Sequence, residues 1–156
     1  MSAEEELTPR ERLQELLEEI ADALGVDAEV RISEQEDELA AEFVGDDVAP
    51  LIGHHGATLD AIQHLAYRIA YQGGSGRGRV SIDAGQYRER RAETLRGVAD
   101  QAAETAIRDG KPVPLEAMSA LERKVVHEHL KTRFDVETYS EGQEPSRHLV
   151  VSPVVS

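Results

Sequence analysis

The sequence predicts an α+β fold, and three observations carry that prediction. Apolar residues recur at helical spacing in some segments and alternate residue by residue in others, so both periodicities occur in one chain. Paired strands follow one another without a helix between them at two places, which departs from a strictly alternating α/β pattern. With 156 residues, 40% apolar and 31% charged, the composition is that of a folded soluble protein holding one ordinary domain or two small ones sharing a core.

The elements follow in order. Thr8–Pro9 reads as a helix start, with Thr8 as N-cap, Pro9 in the first turn and Glu11 three residues past the cap. Leu13, Leu16, Leu17, Ile20 and Leu24 continue at helical spacing until Gly25. "AEVRIS" alternates as a strand with Val30 and Ile32 on one face, and "EDELAAEFVG" as a second with Leu39, Ala41 and Phe43 inward. The short acidic link between them suits a hairpin. A short apolar turn, Leu51–Ile52, leads into Gly53-His54-His55-Gly56. A helix opening at Ala57 or Thr58 then carries Leu59, Ile62, Leu65, Ala66 and Ile69 on one face as far as Gly73–Gly74. "GRVSIDA" is a third strand. "QYRERRAETLRGVADQAAETAIRDGK" is a long polar helix with a thin stripe of Leu95, Val98, Ala99, Ala102 and Ala106. Pro112 and Pro114 bracket a boundary. Beyond it a helix from about Ser119 to Lys131, with Ser119 and Glu122 as a capping box, precedes the strands "DVETYS" and "RHLVVSP" joined by "EGQEP".

The formal net charge is −14, but its distribution matters more than its sum. Residues 1–50 hold 3 Lys+Arg against 17 Asp+Glu, whereas residues 51–156 hold 14 of each. The excess acid lies upstream of the glycine loop. With no cysteine, disulfides, zinc–thiolate sites and thiol nucleophiles are excluded, which fits a reducing compartment. The acidic N-terminus is no signal peptide, and no apolar run approaches a membrane span. A cytoplasmic location is expected.

Glycines three apart remove side-chain bulk, so a phosphate can approach the main chain, and a helix beginning just after them offers free N–H groups and a positive dipole end. The order helix–strand–strand–short helix–GHHG–helix–strand resembles a KH domain of the bacterial, type II topology (α-β-β-α-α-β, a three-stranded sheet with helices on one face). The resemblance implies that Gly53, His54, His55 and Gly56 clamp a single-stranded RNA backbone while about four bases lie in an adjacent groove. Val48, Leu51, Ile52, Leu59 and Ile62 are the candidate walls. This chain departs from the family at one point: a Lys or Arg is usual between the glycines, and here both residues are His, largely neutral at pH 7. Grip on the backbone is therefore expected to be weaker and pH-sensitive.

"MSALERKVVHEHL" places Arg123 and His127 one helical turn apart, and "VETYSEGQEPSRHLVVSP" follows. This helical Arg-x-x-x-His with its strand–turn–strand resembles the R-3-H domain, a small α/β binder of single-stranded nucleic acid. Arg123, Lys124, His127, Lys131, Arg147 and His148 are its candidate RNA-binding residues, expected to converge with Arg133 on one face as a phosphate track. A KH domain followed directly by this module resembles the bacterial Jag/KhpB (SpoIIIJ-associated) family over roughly residues 5–153. Three divisions are expected: KH domain 1–84, connecting helix 85–111, R-3-H domain 112–156. Family members often carry a Jag-N domain and linker ahead of the KH domain, and neither is expected here. The resemblance implies post-transcriptional regulation tied to cell elongation and division, and a KH-only partner, KhpA. Single-stranded DNA is a second ligand of the same chemistry.

Other readings fare worse on the residues. A metal at His54, His55 and His64 would need ligands that converge, yet adjacent histidines are expected to point apart, and only Asp60 stands nearby. A hydrolase would need a nucleophile, a base and an orienter in one pocket, and no such set is recognisable, so neither catalytic residues nor cofactors are expected. A ribosome-associated or ribosome-assembly factor is the alternative within RNA binding, and an acidic protein-interaction surface the alternative outside it. Of the aromatic residues, Phe43 and Phe134 sit in apolar strand patterns and are expected in the core. Arg77, Arg79, Arg88, Arg90 and Arg91 could border the KH sheet, three of them pairing with Glu89, Glu93 and neighbours.

Overall fold

The computed structural model describes residues 5–72 and 78–155. It divides into two compact units, residues 1–88 and 89–156. Gly73, Gly74 and Arg77 lie outside the described residues.

In the first unit, helix α1 (Pro9–Ala23) opens with the expected reciprocal cap. The Glu11 N–H donates to Thr8 Oγ1 at 3.2 Å, and the Thr8 N–H donates to Glu11 Oε2 at 2.8 Å. Strands β1 (Glu29–Gln35) and β2 (Glu38–Val44) form the antiparallel hairpin, with Val30 opposite Phe43 and Ile32 opposite Ala41. Short helix α2 (Ala49–Ile52) and helix α3 (Ala57–Ala70) then carry the chain to strand β3 (Arg79–Ala84), which pairs parallel to β2. The strand order is β1-β2-β3. Alternation sends Leu39, Ala41, Phe43, Val80, Ile82 and Ala84 to one face, where α1 and α3 cover them with Leu13, Leu17, Leu59 and Ala66. The opposite face carries Arg31, Ser33, Glu42, Ser81 and Asp83 around a shallow cleft.

Arg12 is buried and joins the two helices. Its guanidinium donates from Nε and Nη2 to the Ala70 carbonyl at 3.1 and 2.7 Å, placing a positive charge on an orphan acceptor at the C-terminal end of α3.

The second unit contains the rest of helix α4 (Tyr87–Asp109), strand β4 (Val113–Pro114), helix α5 (Ala120–Leu130) and strands β5 (Val136–Glu141) and β6 (His148–Pro153). Its sheet has the order β4-β6-β5 with both pairings antiparallel. Two-residue β4 falls in the Pro112–Pro114 segment that reads in sequence only as a boundary, and Pro114 is tolerated there because β4 is an edge strand. The helix expected as a connector over 85–111 is instead a wall of this unit's core. Leu95, Ala99, Ala102, Ala103 and Ala106 pack with Met118, Val126, Leu130, Val136, Leu149 and Val151. Small alanines in that stripe let neighbouring elements approach closely, so a stripe that looks thin in sequence still closes a core. Val98, expected in the stripe, is 39% exposed, and Ala103 takes the inward position.

Two further expectations change. Ser119 caps α5 through the Glu122 N–H at 3.3 Å, but the Glu122 carboxylate does not reach back to complete a capping box. It accepts from Arg91 Nε at 2.7 Å in a largely buried ion pair, a stronger interaction than a second neutral donor offers. Phe43 is fully buried, whereas Phe134 is 97% exposed. Phe134 lies in the turn before β5 rather than in the strand, so strand alternation does not govern where its ring goes.

Candidate nucleic-acid interface

The GHHG loop is a 3₁₀ turn, His54–Gly56, set between α2 and α3. Both glycines have left-handed backbone, with φ of 72° at Gly53 and 82° at Gly56, and His55 joins them at 51°. Contacts from beneath also demand glycine. A Cβ on Gly53 would collide with the Thr58 side chain, and one on Gly56 would lie 2.8 Å from Tyr87 Cε1. The glycines thus shape the turn as well as open its surface.

His54 and His55 are exposed. Their rings do not point apart as expected: they stack with centroids 3.9 Å apart and planes 27° from parallel, because the left-handed residue turns the chain back on itself. Among the described residues no group of three or more His, Asp or Glu side chains could hold a metal ion. No side chain caps the N-terminus of α3, and the Ala57 N–H donates to the His54 carbonyl, so the helix start follows the loop directly with its positive dipole end at the turn. Asp60, in the first turn, is held by Arg88 Nη1 at 3.1 Å, and the same guanidinium reaches Gln63 Oε1 at 3.0 Å and the Ile82 carbonyl at 2.9 Å. Arg88 thereby offsets the one carboxylate of that turn. The sequence expects three of Arg77, Arg79, Arg88, Arg90 and Arg91 to pair with Glu89, Glu93 and neighbours, and in the structure Glu89 pairs with Arg96 at 3.4 Å.

The groove walls need correction. Leu51 and Leu59 have no exposed surface, and Val48 and Ile62 are 8% and 6% exposed. They support the loop from within the core and do not line an open groove. Ile52 is partly open, and the exposed apolar surface of α3 comes from Leu65 and Tyr67. Of the face expected from periodicity, Leu59, Ile62 and Ala66 are buried, whereas Leu65 is 44% exposed.

In the second unit the candidate residues separate into two groups. Arg123 is buried. Its Nη1 donates to the Met118 carbonyl at 2.6 Å and its Nη2 pairs with Glu144 at 2.9 Å. Arg147 donates to the Gly142 carbonyl at 2.6 Å, and its own carbonyl accepts from the Met118 N–H at 3.2 Å. These arginines do converge, but on the turn between β5 and β6, with both guanidiniums engaged inside the chain. His148 sits beside Glu141, 3.6 Å away. Lys124, His127 and Lys131 form the exposed group. His127 Nδ1 meets Thr138 Oγ1 at 2.5 Å, which orients the ring against β5. Lys131 stands one turn further on. Arg133 is taken up by Asp135 at 2.9 Å and Glu104 at 3.1 Å. These bonds raise the guanidinium's pKa, and Arg133 in turn holds the Asp135 carboxyl below the usual range. Sequence reasoning misses Tyr87, Glu144 and Thr138 as supports, since each acts through a contact distant in the chain.

A type II KH unit followed by a small α/β unit bearing the Arg-x-x-x-His helix defines a two-module protein of KH and R-3-H domains. A family model of the KhpA/KhpB KH domain matches residues 10–82, and one of the R-3-H domain matches residues 93–153. Three relatives, each named RNA-binding protein KhpB, come from Clostridium symbiosum (38% identical over 147 residues, 93% of this chain and 66% of that one), Bacillus subtilis (31% over 150 residues, 95% and 72%) and Lactiplantibacillus plantarum (42% over 102 residues, 65% and 32%). The chain belongs to the KhpB family, whose members carry a name for binding and not for a reaction. It spans just under two thirds of the Clostridium relative and about a third of the Lactiplantibacillus one. No helix among the described residues is long and apolar enough to cross a membrane.

Proposed function

We propose that this chain binds single-stranded RNA through two modules in tandem, with a phosphate received at the GHHG loop and a second stretch of backbone followed by Lys124, His127 and Lys131. The observation that carries the reading is the loop itself, where two left-handed glycines present both imidazoles ahead of an uncapped helix start. Arg123 and Arg147 hold the turn beside the second site, and Arg147 and His148 keep enough exposure to meet a strand passing over it. Relatives named for RNA binding support the same reading. Two weak sites on one chain gain affinity through effective concentration when one strand reaches both.

The test replaces His54 and His55 with Asp and titrates a single-stranded RNA. Two carboxylates where a phosphate sits should lower affinity at least tenfold, about 1.4 kcal/mol, with little loss of stability from an exposed loop. Unchanged affinity in the folded variant overturns the loop as a site. In the cell we propose a cytoplasmic post-transcriptional regulator connected with elongation and division, working with a KH-only partner, KhpA. Crosslinking in cells followed by sequencing of the bound RNA tests this. Recovery of ribosomal RNA alone would favour the ribosome-associated alternative.

A further inference from the structure

Phe134 is the most exposed large apolar side chain among the described residues, at 97%. An isolated exposed apolar residue is ordinary on a protein surface, but the setting of this one is not. Its backbone is braced on both sides. The Arg133 N–H donates to the Leu130 carbonyl at 3.0 Å, and the Asp135 carbonyl accepts from the Val154 N–H at 2.9 Å. The Arg133 side chain closes on Asp135 with two bonds of 2.9 Å and on Glu104 with one of 3.1 Å. A ring fully in water is thus presented from a turn that has little freedom to fold it away.

The surroundings indicate what the ring would meet. The turn follows directly on α5, whose exposed basic residues Lys124 and His127, with Lys131 at its C-cap, lead toward it at helical spacing. Asp135 and Glu104 are both taken up by Arg133, while Glu128 and Glu137 are the exposed carboxylates of α5 and β5 nearest in sequence. A row of basic side chains ending in a fixed aromatic face suits a single nucleic-acid strand, with phosphates along the row and a base on the ring. We infer that Phe134 is a stacking platform for one unpaired base of single-stranded RNA, at the end of the strand track along α5. The inference rests on the RNA-binding reading above.

The experiment uses the full chain and an oligouridylate of about twelve nucleotides, long enough for both modules. Phe134→Ala should weaken binding at least fivefold, while Phe134→Tyr should hold it near wild type, since stacking needs a ring and not that particular ring. The chain contains no tryptophan, so Phe134→Trp introduces a single reporter whose fluorescence should be quenched as RNA saturates. Wild-type affinity in Phe134→Ala overturns the platform and leaves the RNA reading standing. No binding by wild type overturns both. Loss of affinity in Phe134→Ala, with no change in the fluorescence of the Phe134→Trp variant on saturation, would make the ring a support of the fold, and overturns the platform. Val154 and Val155, 48% and 89% exposed, offer a rival occupant for the patch, a second copy of this chain. Sedimentation showing a wild-type dimer that Phe134→Ala dissolves, with equal RNA affinity in both, overturns the platform in favour of that interface.

Discussion

Arg123 on α5 and Glu144 in the β5–β6 turn lie 2.9 Å apart, with the arginine side chain 10% exposed and the glutamate 62%. The arginine that gives the motif half its name therefore works inside the fold. Arg123→Ala would leave the Met118 carbonyl and Glu144 without their donor, at a cost of about 2 kcal/mol. Glu144→Ala, which removes the solvated partner only, should cost less, about 0.5–1 kcal/mol. Denaturation of the full chain followed by circular dichroism checks the order. Lys124→Ala should behave in the opposite manner, with stability unchanged and the salt dependence of RNA binding reduced by about 0.7 for one lost phosphate contact.

Gly56 and Tyr87 are coupled in the same steric sense. Gly56→Ala places an L-residue at φ 82° and drives its Cβ to 2.8 Å from the Tyr87 ring. The left-handed backbone alone should cost about 1–2 kcal/mol, and the collision adds to it. In a Tyr87→Ala background the second part disappears. A double-mutant cycle should therefore return an interaction energy of at least about 0.5 kcal/mol, with the alanine at position 56 less harmful when the ring is gone. Additive losses would show that the loop relaxes away from Tyr87 at no cost.

What is legible in the sequence follows from how locally each feature is encoded. The Thr8–Glu11 cap, the β1–β2 hairpin and most of the buried face of α3 depend on neighbours a few residues apart, and spacing predicts them, Leu65 excepted. The glycines also announce the loop correctly. The roles of Arg88, Arg123 and Glu122 are not legible, because their partners Asp60, Glu144 and Arg91 stand 28, 21 and 31 residues away. A charged residue on an amphipathic helix looks equally suited to solvent, to an ion pair or to a phosphate, and only the tertiary neighbour decides. Phe134 escapes for a related reason: apolar character predicts burial on average, and a surface that binds through an aromatic ring is where that average breaks down.

The Arg133–Asp135 pair gives the chain an acid-sensitive contribution of known sign. Hydrogen bonds from Arg133 hold the Asp135 carboxyl below its ordinary value, so the folded chain takes up this proton less readily than the unfolded one. Its stabilising effect is complete above the unfolded carboxylate pKa of about 3.9 and is lost as pH falls through the lower folded value. Asp135→Asn should accordingly be less stable than wild type at pH 6, and the difference should shrink below about pH 4 as the wild-type carboxylate protonates. The pair is solvent-exposed, so high salt should narrow the gap at pH 6 as well. A difference that persists unchanged at pH 2 would assign the effect to local backbone geometry instead of charge.

The pH dependence of RNA binding distinguishes the two modules. Phosphate favours the imidazolium form of any histidine it touches, so binding takes up protons and must tighten as pH falls from about 7.5 toward 6. His54 and His55 are both exposed and stacked face to face, so a single phosphate can lie against the pair. His54→Lys with His55→Lys supplies permanent charge. This variant should bind more tightly at neutral pH and lose the loop's share of the response. A short strand of about four nucleotides, able to fill only the KH site, should then show almost no pH slope. On a longer strand a residual slope should remain, carried by His127 and His148 in the second unit. Titrations of wild type and the double-lysine variant with both lengths at two pH values separate these shares. A slope equal in all four cases would remove His54 and His55 from the phosphate contact.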